Sequence, residues 1–169
     1  MDGRSDEELA RAMRGGDSSA FEALYARYHE WVAALALRFT HHRDDALDVL
    51  QDTFAYLHRR RHDFELRSQM KTFLYPVVKN LAVTRARLTR RQVPLDPRVD
   101  PAAPALPTDE VASLLSGLSD VQQEVVLMRF VDGLGLQAIA DALEAPLGTV
   151  KSRLHSALEI LRGRNFPNR

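Results

Sequence analysis

The chain reads as an all-α protein made of two small helical domains joined by a proline-rich linker. Three observations predict this. Apolar residues recur at three- and four-residue spacing over most of the 169 positions, strand-like alternation is absent, and five of the eight prolines fall between Pro94 and Pro107. Proline lacks an amide donor and pushes its predecessor towards extended backbone, so neither a helix nor a central strand fits 94–107. That stretch reads as a semi-extended linker. The division is then an N-terminal domain over 1–92, a linker over 93–108 and a C-terminal domain over 109–169.

The elements follow in order. Ser5 with Glu8, Ser19 with Glu22 and Ser119 with Gln122 each have the spacing of a capping box, where the serine oxygen accepts from the third helical amide and the Glu or Gln reaches back. A first short helix ends near Gly15-Gly16, because glycine tolerates a left-handed stop. Further helices are predicted over roughly 19–40, 43–61 and 68–91, and after the linker over 109–116, 119–132, 136–143 and 147–163.

Composition narrows the function classes. Without cysteine there are no disulfides, no thiol catalysis and none of the usual structural zinc sites. No apolar run approaches the roughly 18 residues of a membrane helix, and the polar, acidic start carries no signal segment. A cytoplasmic protein without membrane insertion is expected. The zero net charge hides a segregation: residues 1–57 carry −5, 58–92 carry +8, 93–124 carry −5 and 125–169 carry +2. A +8 block between acidic neighbours fits either a polyanion-binding surface or a solvated basic helix.

In the segment 43–61, Ala46, Leu50, Phe54 and Leu57 gather on one side of the helical wheel, flanked by Leu47 and Val49. Asp45, Asp48 and Asp52 collect opposite them. Like charges at i and i+4 cost a helix a few tenths of a kcal/mol. The acidic side is therefore either ordinary solvated surface or a docking face for a basic partner.

In the segment 68–91, Met70, Phe73, Leu74, Val77, Val78, Leu81 and Leu88 form a packing stripe. The opposite side shows Lys71, Thr72, Tyr75, Lys79, Ala86 and Arg90, with Asn80 and Arg87 at its margins. Cations neutralise phosphate, and an exposed ring stacks on an unpaired base, so the pattern suits single-stranded DNA. Tyr75 is open between stacking platform and core ring, whereas Phe64 is expected in the core. Pro76, which cannot bond back to Thr72, should kink the helix.

The run Leu136 to His155 has the pattern of a helix-turn-helix. Small Ala140 lets two helices cross closely, and Ile139, Leu143, Val150 and Leu154 fill the wedge between them. Ser152, His155 and Ser156 face outward beside Thr149, Lys151 and Arg153, a set that suits a major groove. A plain helical hairpin shares the same periodicity.

The string Val125-Val126-Leu127-Met128-Arg129-Phe130-Val131-Asp132-Gly133-Leu134, followed by Ile139-Ala140 and Leu147 to Ala157, strongly resembles the region 4 domain of extracytoplasmic-function sigma factors. The N-terminal half resembles their region 2 domain through Asp48-Val49-Leu50-Gln51-Asp52-Thr53-Phe54, and through Phe73-Leu74-Tyr75 leading to Lys79-Asn80-Leu81-Ala82. The resemblance implies an alternative sigma factor that binds core RNA polymerase through its β and β′ subunits and directs promoter-specific initiation without catalysis of its own. It implies that Asp45, Asp48, Gln51 and Asp52 dock on the polymerase. Arg67, Lys71, Tyr75, Lys79, Asn80 and Arg87 would read and melt the minus-ten element. Arg129, Thr149, Lys151, Ser152, Arg153, His155 and Ser156 would engage the minus-thirty-five element. A partner anti-sigma factor is implied as well.

Some positions depart from the family pattern. Phe73 stands in place of the usual tryptophan, Pro76 replaces an ordinary helix residue and Thr84 a frequent aspartate. Glu144 occupies a turn position usually held by glycine, and would cost about 1 kcal/mol if left-handed.

Two other classes fit the residues less well. A stand-alone helix-turn-helix regulator leaves the charged faces of the first domain unexplained. An enzyme would need more than His41-His42 and the pair His58 and His62, which lack a further ligand set, so neither cofactor nor metal is expected.

Overall fold

The computed structural model describes residues 2–92 and 109–165. The chain divides into two compact units, Met1–Leu106 and Pro107–Arg169. The expected linker, 93–108, lies outside the described residues. Unit 1 contains α1 (Asp6–Arg14), α2 (Ser18–Thr40), α3 (Arg43–Arg59) and α4 (Met70–Gln92). Unit 2 contains α5 (Asp109–Leu115), α6 (Asp120–Phe130), α7 (Leu136–Ala142) and α8 (Leu147–Asn165).

In unit 1 the helices α2, α3 and α4 pack on one another in pairs, and α1 lies against α2. The α1 capping box forms: Glu8 N–H donates to Ser5 Oγ at 3.2 Å, and Ser5 N–H donates to Glu8 Oε2 at 2.6 Å. The helix stops where Gly16 turns to φ +94°, with Gly16 N–H donating to Met13 O and Asp17 N–H to Ala12 O. A side chain would be strained in that left-handed position. The second expected box does not form. Asp17, not Ser19, caps α2, its Oδ1 accepting from Ser19 N–H at 2.9 Å and Ser19 Oγ at 2.6 Å. The left-handed turn at Gly16 places the aspartate first, and a carboxylate at a helix N-terminus also gains from the helix dipole.

Leu9, Met13, Leu24, Val32, Leu35, Leu57, Met70, Leu74 and Val78 form the buried interior of unit 1. Phe64 is buried as expected and meets Phe73 edge-on, which ties the segment before α4 to its first turn. Two buried hydroxyls bond back along their helices, Thr40 to Ala36 O and Thr53 to Val49 O. Thr72 Oγ1 is buried without a hydrogen-bond partner.

The α4 wheel needs correction. Thr72 and Tyr75, expected on the open side, are buried, and the Tyr75 ring meets Phe39 of α2 edge-on. Leu88, expected in the packing stripe, is 48% exposed. The reason is geometric: α4 lies against both α2 and α3, so its buried arc is wider near the N-terminal end than a single apolar stripe implies.

In unit 2, Leu115, Leu118, Val126 and Ala157 form a core, with Val111, Leu127, Leu154 and Leu161 packed around it. Gly133 turns at φ +73° between α6 and α7. After α7 the backbone stops at Glu144, φ 49°, with Ala145 N–H donating to Ala140 O and Glu144 N–H to Asp141 O. That is a Schellman stop built on a non-glycine residue, followed closely by Pro146. Ile139, Ala140 and Val150 are buried where α7 meets α8, as expected, whereas Leu143 and Leu154, also expected in that wedge, are half-buried, and Leu154 packs on the core around Val126.

Candidate nucleic-acid and protein interfaces

The exposed ridge of α3 runs through Asp44, Leu47, Gln51, Asp52 and Ala55, with Asp48 half-buried beside it. Asp45, Asp48, Gln51 and Asp52, grouped from the sequence, lie along α3 with different exposure. Gln51 and Asp52 face solvent. The Asp45 side chain is only 15% exposed: its Oδ2 accepts from Thr89 Oγ1 at 2.9 Å, and its Oδ1 lies 4.0 Å from Arg85 Nε. Arg85 Nη2 donates to Asp48 Oδ2 at 2.5 Å, and that carboxylate remains 48% exposed. A recess lined by His42, Arg43, Asp44, Asp45 and Thr89 adjoins the pair.

Arg85 and Thr89 were missed from sequence. The available signal was Arg85 itself, four residues after Leu81 and seven after Val78, a cation on the packing side of α4. A charge there needs a partner.

The six proposed minus-ten residues do not share one face. Asn80 and Arg87 are exposed on one side of α4, together with Val83 and Thr84. Lys71 lies about 180° around the helix from Asn80, with its Nζ 5.4 Å from the centre of the Trp31 ring. Lys79 is half-buried. Arg67, in the loop before α4, is exposed and pairs with Glu65 at 3.0 Å. Tyr75 is 2% exposed and cannot act as a stacking platform in this structure, because its ring is part of the α2–α4 core.

Lys151, Ser152, His155 and Ser156 lie exposed on α8, with Thr149 and Arg153 half-buried beside them. Ser152 Oγ donates to Thr149 O at 3.0 Å. Arg129 is exposed at the end of α6 but also donates through Nη1 to Leu134 O at 3.1 Å, which closes the turn into α7. Among the described residues no three His, Asp or Glu side chains are placed to hold an ion, and no helix is long and apolar enough to cross a membrane.

Residues 24–92 match the sigma-70 region 2 family, and residues 108–161 match the sigma-70 region 4 family. The ECF RNA polymerase sigma factor SigW of Bacillus subtilis is 27% identical over 90% of this chain and 92% of its own length. The ECF RNA polymerase sigma factor SigM of Mycobacterium tuberculosis is 31% identical over 89% of this chain and 79% of its own. The solved structure of CnrH, in complex with the cytosolic domain of CnrY, superposes with a TM-score of 0.72 at 23% identity, covering 97% of this chain and 99% of CnrH.

Region 2 and region 4 modules in that order, helical throughout the described residues, define a sigma-class transcription initiation factor. The chain belongs to the extracytoplasmic-function group of the sigma-70 family.

Proposed function

We propose that this sigma factor docks on the β and β′ subunits of core RNA polymerase through the α3 ridge and reads the promoter with two modules. The observation that carries the reading is the co-occurrence of an exposed acidic ridge on α3 and an outward polar, cationic face on α8, in a chain that matches both sigma-70 regions. Residues 1–92 form the first module, 109–169 the second, and the proline-rich 93–108 joins them. Asp48, Gln51 and Asp52 meet basic groups of the polymerase, with Asp44 and Leu47 on the same ridge.

On α4 and the loop before it, Arg67, Lys71, Lys79, Asn80 and Arg87 engage the minus-ten element. On α8, Thr149, Lys151, Ser152, Arg153, His155 and Ser156 face the minus-thirty-five duplex, with Arg129 near its phosphates. Strand opening needs no chemistry: affinity for the unpaired strand offsets the few kcal/mol lost when bases unstack. An anti-sigma factor covers the docking ridge until a signal arrives; CnrH, similar in fold, was solved in complex with the cytosolic domain of CnrY. The work is done in the cytoplasm, where the polymerase acts.

The test is run-off transcription with core polymerase on a random promoter library, with and without the chain. Initiation confined to a sequence class, and only with the chain present, is the expected result. No initiation on any template would overturn the reading.

A further inference from the structure

We infer that Arg85 is a positioning residue for polymerase docking: it holds the Asp48 carboxylate in the orientation a basic partner meets. The inference rests on the docking reading of α3 and adds a residue from a different helix.

Three of the four acids of α3 have different fates. Asp45 is mostly covered, its oxygens engaged by Thr89 and close to Arg85, so it braces α3 to α4. Asp52 is exposed. Asp48 lies between these cases. One oxygen is held by Arg85 Nη2 at 2.5 Å, while the side chain keeps 48% of its exposure. A carboxylate with one oxygen tethered has lost most of its rotamer freedom while remaining reachable. Binding a charged partner to a fixed group avoids the ordering cost that a mobile side chain would incur.

Arg85 suits the role because it is itself anchored. Its guanidinium spans Asp48 and Asp45, and Asp45 is held in turn by Thr89 one helical turn further along α4. The planar fork of arginine can address two carboxylates at once, which the point charge of lysine does not. The arrangement also places Leu47, 42% exposed, next to a carboxylate of fixed position, an apolar contact flanked by a directed charge.

A double-mutant cycle on the full-length chain tests this, read as affinity for core polymerase by fluorescence titration at low salt, with thermal unfolding run alongside. Asp48→Asn is expected to weaken docking. Arg85→Gln is expected to weaken it roughly fivefold, within the range of couplings between contacting charges, and to add nothing in the Asp48→Asn background. Arg85→Lys should fall between the parent and Arg85→Gln. Unchanged affinity for Asp48→Asn overturns the docking reading itself. A loss for Asp48→Asn with Arg85→Gln neutral, or strictly additive, overturns the positioning role alone. Should Arg85→Gln fail to fold, Arg85→Lys decides: parental affinity, or a loss that persists in the Asp48→Asn background, overturns the inference.

Discussion

Gln122 serves two helices at once: its Oε1 accepts from the Ser119 backbone N–H at 3.0 Å, and its Nε2 donates to Ser156 Oγ at 3.1 Å. The residue that helps to start α6 therefore also steadies the outward face of α8. Both Ser156 and Ser152, the latter donating to Thr149 O, are engaged within the protein, so in the proposed DNA reading the weight falls on Lys151, Arg153 and His155.

Replacing Lys151 or Arg153 with alanine should weaken promoter binding by the holoenzyme. It should also reduce the slope of log affinity against log salt by about one for each phosphate left without its cation. Ser156→Ala should leave the slope unchanged. Titration of promoter duplex at several salt concentrations checks both, and an unaltered slope for the two cation variants would remove them from the DNA surface.

Glu144 sits at φ 49°, where a Cβ is disfavoured by roughly 1–2 kcal/mol. Glu144→Gly relieves that strain but makes the unfolded chain more flexible, so a net gain of about 0.5–1 kcal/mol is expected. Denaturant unfolding measures it. A loss of stability would mean that the glutamate makes compensating contacts.

Thr72 buries a hydroxyl without a hydrogen-bond partner, and Pro76, four residues on, offers no amide to the Thr72 carbonyl. Thr72→Val keeps the shape and removes the orphaned group, and should raise stability by about 1 kcal/mol. Thr72→Ser, which keeps the hydroxyl and leaves a methyl-sized void, should lower it. Comparison of the two unfolding midpoints decides; a destabilised valine variant would show that the hydroxyl is satisfied in solution.

The N-terminal residues are tied to unit 1 by Arg4, which bonds Asp2 at 2.6 Å and Asp17 at 2.8 Å. The Arg4 hydrogen bonds hold the Asp2 carboxyl down to about 2, and the Ser19 hydroxyl together with Arg4 holds Asp17 down to about 2, against an ordinary 3.8. Groups with lowered values favour the folded state above the ordinary value and lose that contribution as pH falls towards the folded one. Protection of α1 amides should therefore fall, relative to α3, between about pH 4 and pH 2. Hydrogen exchange corrected for intrinsic rates reads this, and Arg4→Ala should reduce the difference to the part that Ser19 maintains through Asp17. Solvent screening keeps the effect small.

Much of the fold was legible because it rests on local chemistry. The helices fall within two or so residues of their expected bounds, since periodicity, caps, glycine stops and prolines act within one turn of the residue that carries them. The helix-turn-helix was readable for the same reason: Ile139 and Val150 are buried as their spacing requires, while Leu143 and Leu154 of the expected wedge are only half-buried. The Ser19 box failed because a competing cap, Asp17, stands just ahead of it, and backbone handedness at Gly16 chose the aspartate.

The α4 surface was harder to read. A wheel shows which residues share a side but not how many neighbours that side meets, so Tyr75 and Thr72 were placed on the open side while the packing of α4 buries them.

By itself, then, the sequence determined the helices, the two-module order and the family, because these follow from spacing and residue type. Only the tertiary structure decided which acids of α3 stay open and which are held by Arg85 and Thr89. Those pairings join residues about 40 positions apart, and no local rule of propensity or period records a contact that depends on how two helices pack.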